Sequence, residues 1–362
     1  AETSTTNSAL TNGLLPGWIN FVATTRTQGL DIKAHISFAP GINNNSDTVG
    51  LPIGNPNPNS GTPANPYSQI DTRNVYFQFG NSEWGTLKFG RDIGLFGQNI
   101  ILSDMTLLGV GGTSNASIPY NTTFGMIGHG YMYTGFQPQI TYTTPAVGGF
   151  QASAGIFQPS RFAGDETKTP GFQAKVDYDW KGNAPGKVWS GVVTQTSSCS
   201  VSPCATKEFT ATGFELGGSY KLAPAWTAQA TVAYTWGSNR SDGTALPQMP
   251  PLEARLGLDY AQGPWTAGAL WRLVAAQHRY TQDQGNVVGR DMGASSGFGV
   301  LSLHASYRVQ RQLKITVGVD NLLDKTYAEH LNLAGNAGFG FPANTRLNEP
   351  GRTLWLRADI QF

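Results

Sequence analysis

The sequence predicts an all-β protein, a transmembrane antiparallel outer-membrane β-barrel of about 16 strands with short periplasmic turns and long extracellular loops. Three observations predict this fold. Apolar and polar residues alternate along most segments, short and long connections alternate between those segments, and only 13% of the 362 residues are charged while 45 are glycine. Soluble domains have about 25% charged residues. The net charge of +1 argues against a nucleic-acid partner.

The alternation has a period of two residues, which places successive side chains on opposite faces of a strand. At the C-terminus, Leu354, Leu356 and Ala358 alternate with Arg357 and Asp359. The pattern recurs in about fifteen segments, most of them about 9–11 residues long, the length that a tilted strand needs to cross a bilayer. Other clear examples are residues 30–38, 171–180 and 252–260.

The connections alternate in length, which indicates two different ends of one barrel. Tight turns lie at residues 27–29, 80–83, 145–148, 181–184, 222–225, 261–264 and 309–311. Long connections cover residues 39–70, 92–134, 158–170, 197–211, 237–250, 274–297 and 321–351. Because lipid offers no partner for backbone N–H and C=O groups, a closed sheet is the only arrangement of strands that can span it.

The strand count leaves one expectation open. Bacterial single-chain barrels normally have an even number of strands, and the first clear segment runs toward the short turns. A further strand is therefore expected from residues 1–15, from Phe124 to Tyr133, or from a part removed by truncation. The sequence has no apolar run near the ~18 residues of a membrane-spanning helix, and a signal peptide is absent or already removed.

Two parts of the sequence resemble two families. The N-terminal half resembles Gram-negative general porins over roughly residues 13–195, through GLLPGWINFVATTRTQGLDIKAHISFAP (13–40) and GTLKFGRDIGLFGQNIILSDMTLLGVGG (85–112). From about residue 209 the chain resembles the last barrel strands of TonB-dependent receptors, particularly the copper-receptor branch. That likeness is carried by LPQMPPLEARLGLDY (246–260), VGVDNLLDKTYAEHLN (317–332) and NEPGRTLWLRADIQF (348–362).

The two likenesses imply one barrel over residues 1–362 with a hybrid sequence. Residues 1–200 would form a porin-like half and residues 209–362 the receptor-like strands, and the joint would be natural or engineered. The porin likeness implies that loop 92–134 folds into the pore and that four charges belong to the constriction: Lys88, Arg91, Asp92 and Asp104. An external cap without a gating role is the alternative for this loop.

Partners also follow from the likenesses. The terminal Phe362, preceded by alternating apolar residues, resembles the signal read by the outer-membrane assembly machinery. The lipid bilayer and lipopolysaccharide would surround the barrel. Porins are commonly trimers and TonB-dependent receptors monomers, so a homotrimer is one of two expectations.

Charged residues on the polar faces are expected to line the lumen. Both signs are mixed among them: Lys33, His35, Lys175, Asp177, Arg255, Arg272, Arg308 and Arg357. Charge rings and constriction width set selectivity in such pores. The alternative is that these side chains only solvate the lumen and pair across strands.

Few residues suggest a catalytic, redox or metal-binding site. Cys199 and Cys204 are expected to form a disulfide in an oxidising compartment, with a Cu(I) thiolate site as the alternative. Met126, His129 and Met132 are the one soft-ligand cluster and a weak metal candidate. No cofactor and no enzymatic activity are expected, since no nucleophile–base pair is evident.

The sequence therefore predicts an outer-membrane porin, a water-filled channel for passive diffusion of small hydrophilic solutes and ions. The first alternative is a plug-less barrel of the receptor type that binds copper or another ligand on its extracellular loops. The second is a structural or engineered barrel without a native substrate.

Overall fold

A computed structural model describes residues 18–40, 70–102, 135–159, 165–199, 208–284, 291–332 and 344–360. Within these ranges the chain forms one sheet and one five-residue helix, α1 (Gln98–Leu102). No helix among these residues is long and apolar enough to cross a membrane.

The described residues contain sixteen strands. The first eight are Ile19–Thr27 (β1), Leu30–Pro40 (β2), Ile70–Asn81 (β3), Gly85–Ile93 (β4), Phe136–Thr143 (β5), Phe150–Phe157 (β6), Asp165–Glu166 (β7) and Gly171–Trp180 (β8). The others are Gly186–Cys199 (β9), Glu208–Ala223 (β10), Trp226–Asn239 (β11), Glu253–Gln262 (β12), Trp265–Val274 (β13), Phe298–Gln310 (β14), Leu313–Asp320 (β15) and Thr353–Ile360 (β16).

The sheet is an antiparallel meander in which each strand pairs with the next along the chain. Among the described strands, only the two-residue strand β7 lies off this path, and it pairs with the end of β9. The short connections all lie on one side, the turn side, and the long ones on the other, the loop side. The predicted all-β, antiparallel barrel fold is thus confirmed, with fifteen strands on the path within the described residues.

The two faces of the sheet have an inverted burial pattern. On one face large apolar side chains are exposed, such as Phe172 at 47% and Leu216 at 45%. Their neighbours in sequence on the other face, Gln173 and Glu215, are fully shielded at 0%. A water-soluble sheet would bury the apolar face. The exposed apolar face is therefore the outer, lipid-facing surface, and the polar face lines the interior.

A compact apolar cluster fills part of the interior near the loop side. It joins strand residues to residues from two long connections: Phe96, Phe157, Val193, Phe209, Ala211, Leu246 and Met249. Glycine makes room for two of them. A Cβ at Gly213 would lie 2.8 Å from the ring of Phe96, and one at Gly237 would lie 2.6 Å from Leu246. The sheet therefore carries seats for side chains that enter from loops.

Candidate pore-lining site

The first residues after β4 run along the interior of the barrel. These residues, 94–102, are called the inner segment below. The backbone N–H of Leu95 donates to Oε1 of Gln173 on β8 at 2.9 Å. The N–H of Gly97 donates to Oε2 of Glu215 on β10 at 2.8 Å. A segment that leaves β4 and bonds to β8 and β10 lies against the inner face, several strands away from its origin.

Side chains extend these contacts. Nδ2 of Asn99 donates to Oδ1 of Asp177 at 3.2 Å, and Nζ of Lys175 donates to Oε1 of Gln98 at 3.3 Å. Ile100 lines a small cavity together with Arg255 of β12 and residues of β11 and β13. The inner segment thus bonds to residues of β8 and β10 and shares a small cavity with residues of β11, β12 and β13.

Three glutamines, of which Gln139 and Gln173 are buried and Gln137 is half-buried, fix the point where the inner segment leaves β4. Nε2 of Gln139 donates to the carbonyl oxygens of Asp92 (2.8 Å) and Ile93 (3.0 Å). Nε2 of Gln173 donates to Oε1 of Gln139 at 2.9 Å, and Nε2 of Gln137 donates to Oε1 of Gln173 at 3.1 Å. Because buried carbonyls need a donor, this amide relay determines where the strand ends and the segment turns inward.

The aromatic ring of Phe96 anchors the middle of the inner segment. It lies over Gly213 and belongs to the interior apolar cluster, which also includes Val193 on β9 and Phe209 on β10. Apolar burial and the two backbone hydrogen bonds act on adjacent residues, Leu95 to Gly97. The segment is therefore held by packing and by directional bonds at the same place.

Two of the expected constriction charges lie on the inner face of β4. Lys88 pairs with Asp92 four residues along the same strand. Oδ1 of Asp92 also accepts a 2.7 Å hydrogen bond from Asn74, which itself bonds to Ser37. The pair is thus part of a polar network that joins β2, β3 and β4.

The expectation for Arg91 is wrong. Strand register places Arg91 opposite Val75, in line with Phe89 and Phe77 on the outer face. Lys88 and Asp92 alternate with it and face inward, because successive side chains of a strand point to opposite faces. Arg91 and Asp92 are adjacent residues of β4, so they could not both line the pore.

The expected lining charges form ion pairs on the inner face. Nζ of Lys175 lies 3.1 Å from Oδ2 of Asp177, whose other oxygen lies 3.1 Å from Nζ of Lys187. Near the turn side, NH2 of Arg357 lies 2.6 Å from Oδ1 of Asp359. The Lys175–Asp177 and Arg357–Asp359 pairs lie within one strand each, and the Lys187–Asp177 pair crosses from β9 to β8, as cross-strand charge pairs do.

A second network lies on β12 and β13. Glu253 bonds to Nε of Arg255 at 2.5 Å and to NH2 of Arg272 at 2.6 Å. Arg272 also pairs with Glu329 from the β15–β16 connection and lies over the ring of Phe298. Two arginines and two glutamates therefore neutralise one another in a buried cluster.

The remaining expected lining residues lie on β2 and β14. The ammonium groups of Lys33 and Lys88 lie 5.4 and 5.0 Å from the centre of the Tyr76 ring. His35 bonds through Nε2 to Asn20 at 2.9 Å and meets the edge of the same ring. Arg308 is exposed, and register places it opposite Lys314.

Several expectations fall outside the described residues. These are the constriction charge Asp104, the soft-ligand cluster Met126, His129 and Met132, the disulfide partner Cys204 and the terminal Phe362. Cys199 is described only as the last residue of β9. Within the described ranges no group of three His, Cys, Asp or Glu side chains is placed to hold a metal.

The motif DNLLDKTYAEH has a structural role in the β15–β16 connection. Asn321, with a positive φ of 51°, bonds through its side chain to both the N–H and the carbonyl of Lys325, each at 2.8 Å. Buried His330 contacts Asp291 and Ser295 of the β13–β14 connection, each at 3.1 Å. Burial raises the pKa of Tyr327. The motif therefore ties two long connections together.

Sequence reasoning missed two parts of this site. The glutamine relay carries no charge, although the period-two pattern of β8 puts Gln173 on the inner face. No sequence pattern indicates a role for Glu329, because it lies in a long connection. It pairs with Arg272, which is 57 residues away in sequence. Tertiary contact alone identifies such a partner.

Comparisons with known proteins bear on the family. Residues 133–322, more than half of the chain, match the family described as TonB dependent receptor-like, beta-barrel. The ferric enterobactin receptor of Pseudomonas aeruginosa is 28% identical over 96 residues, which are 26% of this chain and 13% of that protein. The match to the family crosses the expected junction near residue 200, so the comparisons do not confirm a fusion there.

Solved structures give the same architecture. The copper transporter OprC is 28% identical with a TM-score of 0.55, over 95% of this chain and 55% of OprC. The anion-selective porin from Comamonas acidovorans is 14% identical with a TM-score of 0.58, over 96% of this chain and 90% of the porin, a likeness of fold alone. This chain spans about half the length of OprC.

These relatives are outer-membrane transporters, receptors and porins. The predicted outer-membrane location is confirmed. The family match, the meander of strands and the apolar outer face agree with one another, and the chain belongs to the TonB dependent receptor-like β-barrel family.

Proposed function

We propose that this barrel is a passive diffusion channel for small hydrophilic solutes and ions. The observation that carries the proposal is the inner face, where charged and amide side chains follow one another from β2 to β16 while the outer face is apolar. A lumen lined in this way holds water and lowers the cost of moving a polar solute across the membrane.

In this proposal the inner segment narrows the channel. Its contacts with Gln173, Asp177 and Glu215 support a position against the inner face. Lys88, Asp92 and Lys175 are the charges that a solute would pass, with Asp104 as a further constriction charge. Both signs occur among them, which suits small solutes with polar groups rather than a single class of ion.

Several partners belong to the same proposal. The apolar outer face would contact the acyl chains of the bilayer, and the loop side would face lipopolysaccharide. A homotrimer would bury part of the outer face, and Phe362 would be read by the assembly machinery. Transport would need no cofactor.

The second candidate function is copper binding by a receptor-type barrel without active transport. It is favoured by the 28% identity with the copper transporter OprC over 95% of this chain. The ligands would come from the long connections, with Met126 and Cys199 as the residues to test. Tight copper binding that either substitution abolishes, in a barrel that carries no steady current, would support this function over the first.

Planar-bilayer recording decides between the two. A steady ohmic current from the refolded protein is expected, and a barrel that inserts but carries no current would refute the diffusion channel. Lys175→Gln should shift the reversal potential in a salt gradient, because it removes one charge from the lining. The matched control is Lys181→Gln in the exposed β8–β9 turn, which should leave the reversal potential unchanged.

A further inference from the structure

One buried acid, Glu215, holds the inner segment on β10. Its side chain is fully shielded from solvent, and Oε2 accepts the hydrogen bond from Gly97. Within the described part of the chain the other oxygen, Oε1, is buried and has no hydrogen-bond partner. Gly191 of β9 leaves room for it, since a Cβ there would lie 2.7 Å from Oε1. Glu215 is thus enclosed with a single donor.

The charged groups near Glu215 lie on β8 and β9 and are already paired. Lys175 and Asp177 act on it electrostatically. Lys175 pairs with Asp177 and bonds to Gln98, and Lys187 of β9 pairs with the same aspartate. Residues 94–100 contribute no titratable side chain. Glu215 therefore receives no direct ion pair from the lysines around it.

The two protonation states of Glu215 fit this position unequally. A buried carboxylate is strongly destabilised unless a cation or several donors compensate it. The neutral acid, with its proton on Oε1, has only the smaller cost of a buried hydroxyl and still accepts the Gly97 hydrogen bond through Oε2. An ionised side chain would turn toward water in the lumen, and the bond to Gly97 would break.

We propose that Glu215 positions the inner segment as a neutral acid, and that its ionisation releases the segment from β10 and widens the channel. The proposal rests on the proposed function for its effect on transport. In this proposal the width of the channel is controlled by Glu215, which lies 118 positions away in sequence from Gly97, whose backbone N–H it binds.

The test compares three proteins in planar bilayers between about pH 5 and about pH 9. The unaltered protein should gain conductance by about twofold as the pH rises, because the constriction widens. Glu215→Gln keeps the oxygen acceptor but cannot ionise, so its conductance should stay low throughout. The matched control is Glu208→Gln on the same strand, where the exposed carboxylate pairs with Arg240 at 3.5 Å, and it should keep the original profile.

A second readout separates this inference from the proposed function. Hydrogen exchange of the 94–100 amides, taken relative to those of β12 at the same pH, should become faster with rising pH in the unaltered protein and stay slow in Glu215→Gln.

Should Glu215→Gln fail to fold, Gly191→Ala replaces it. The added methyl group would displace the carboxyl group of Glu215 and give fast exchange at every pH. The proposal is overturned if the relative exchange rate of the 94–100 amides does not change with pH, or if it rises equally in Glu215→Gln. This outcome is independent of whether the barrel carries current. Current without any pH effect overturns the proposal while the diffusion channel stands.

Discussion

Many inward-facing charged side chains form ion pairs or hydrogen bonds with neighbouring side chains. Arg272 shows this most clearly, because it bonds to Glu253 on the adjacent strand and to Glu329 from a distant connection. Its side chain is only 4% exposed. Removing one member of a buried ionic cluster leaves an uncompensated charge, which costs more than the pair itself contributes.

Arg272→Met should therefore destabilise the folded barrel by about 3 kcal/mol, the range for breaking a buried ion pair. Glu253 keeps Arg255, but Glu329 loses its partner. Urea-induced unfolding in detergent, followed by tryptophan fluorescence, measures the change. Arg308→Met is the matched control, since Arg308 is exposed and lies opposite Lys314; equal losses in the two variants would refute the cluster's role.

The period of two residues decides which side chains of a strand share a face. The alternation along β8 correctly groups Gln173, Lys175 and Asp177 on the inner face. The same rule separates Arg91 from Lys88 and Asp92, although the porin likeness implies that all three belong to the constriction. Physical spacing along a strand, not nearness in the chain, decides which side chains share a face.

At the scale of elements, the position of the inner segment depends on the space that Gly213 of β10 leaves for the Phe96 ring. Phe96 lies over Gly213, and a neighbouring inward-facing glycine, Gly217, lies under Trp189 of β9 instead. Both positions are tight, because a Cβ would lie 2.8 Å from the Phe96 ring and 2.3 Å from the Trp189 ring. They differ in what the added methyl group would displace.

Gly213→Ala should displace Phe96 and raise the single-channel conductance. Gly217→Ala disturbs the β9–β10 wall but leaves the seat of the inner segment intact, so its conductance should stay near that of the unaltered protein. Single-channel recording of both variants at one pH gives the comparison. A rise in both variants would point to general distortion of the wall, and no rise in Gly213→Ala would show that the segment does not narrow the channel.

At the scale of the whole molecule, the first and last strands of the sheet path run in the same direction, so they cannot pair with each other as antiparallel strands. On a path of fifteen antiparallel strands, β1 and β16 run the same way, from the loop side to the turn side. Their outer faces are more exposed than those of central strands, with Leu356 of β16 at 72% and Leu256 of β12 at 44%. An antiparallel closure between them requires an odd number of further strands.

The backbone amides of β1 and β16 should nevertheless be protected in detergent micelles. An unpaired strand edge has no partner in an apolar layer, so a barrel that spans the membrane must pair both edges. Hydrogen exchange followed by mass spectrometry should give both strands protection similar to that of β12. Fast exchange along both edges would show that the sheet stays open there.

The sequence by itself determined the strands, their two faces and the two ends of the barrel. Those features depend on local rules, since the period of two and the spacing of turns can be read within about ten residues. Only the tertiary structure decided that Gly97 meets Glu215, that Phe96 rests on Gly213 and that Arg272 meets Glu329. Strand order and register bring these residues together across long stretches of chain, and no local pattern records which inward-facing positions a returning loop will reach.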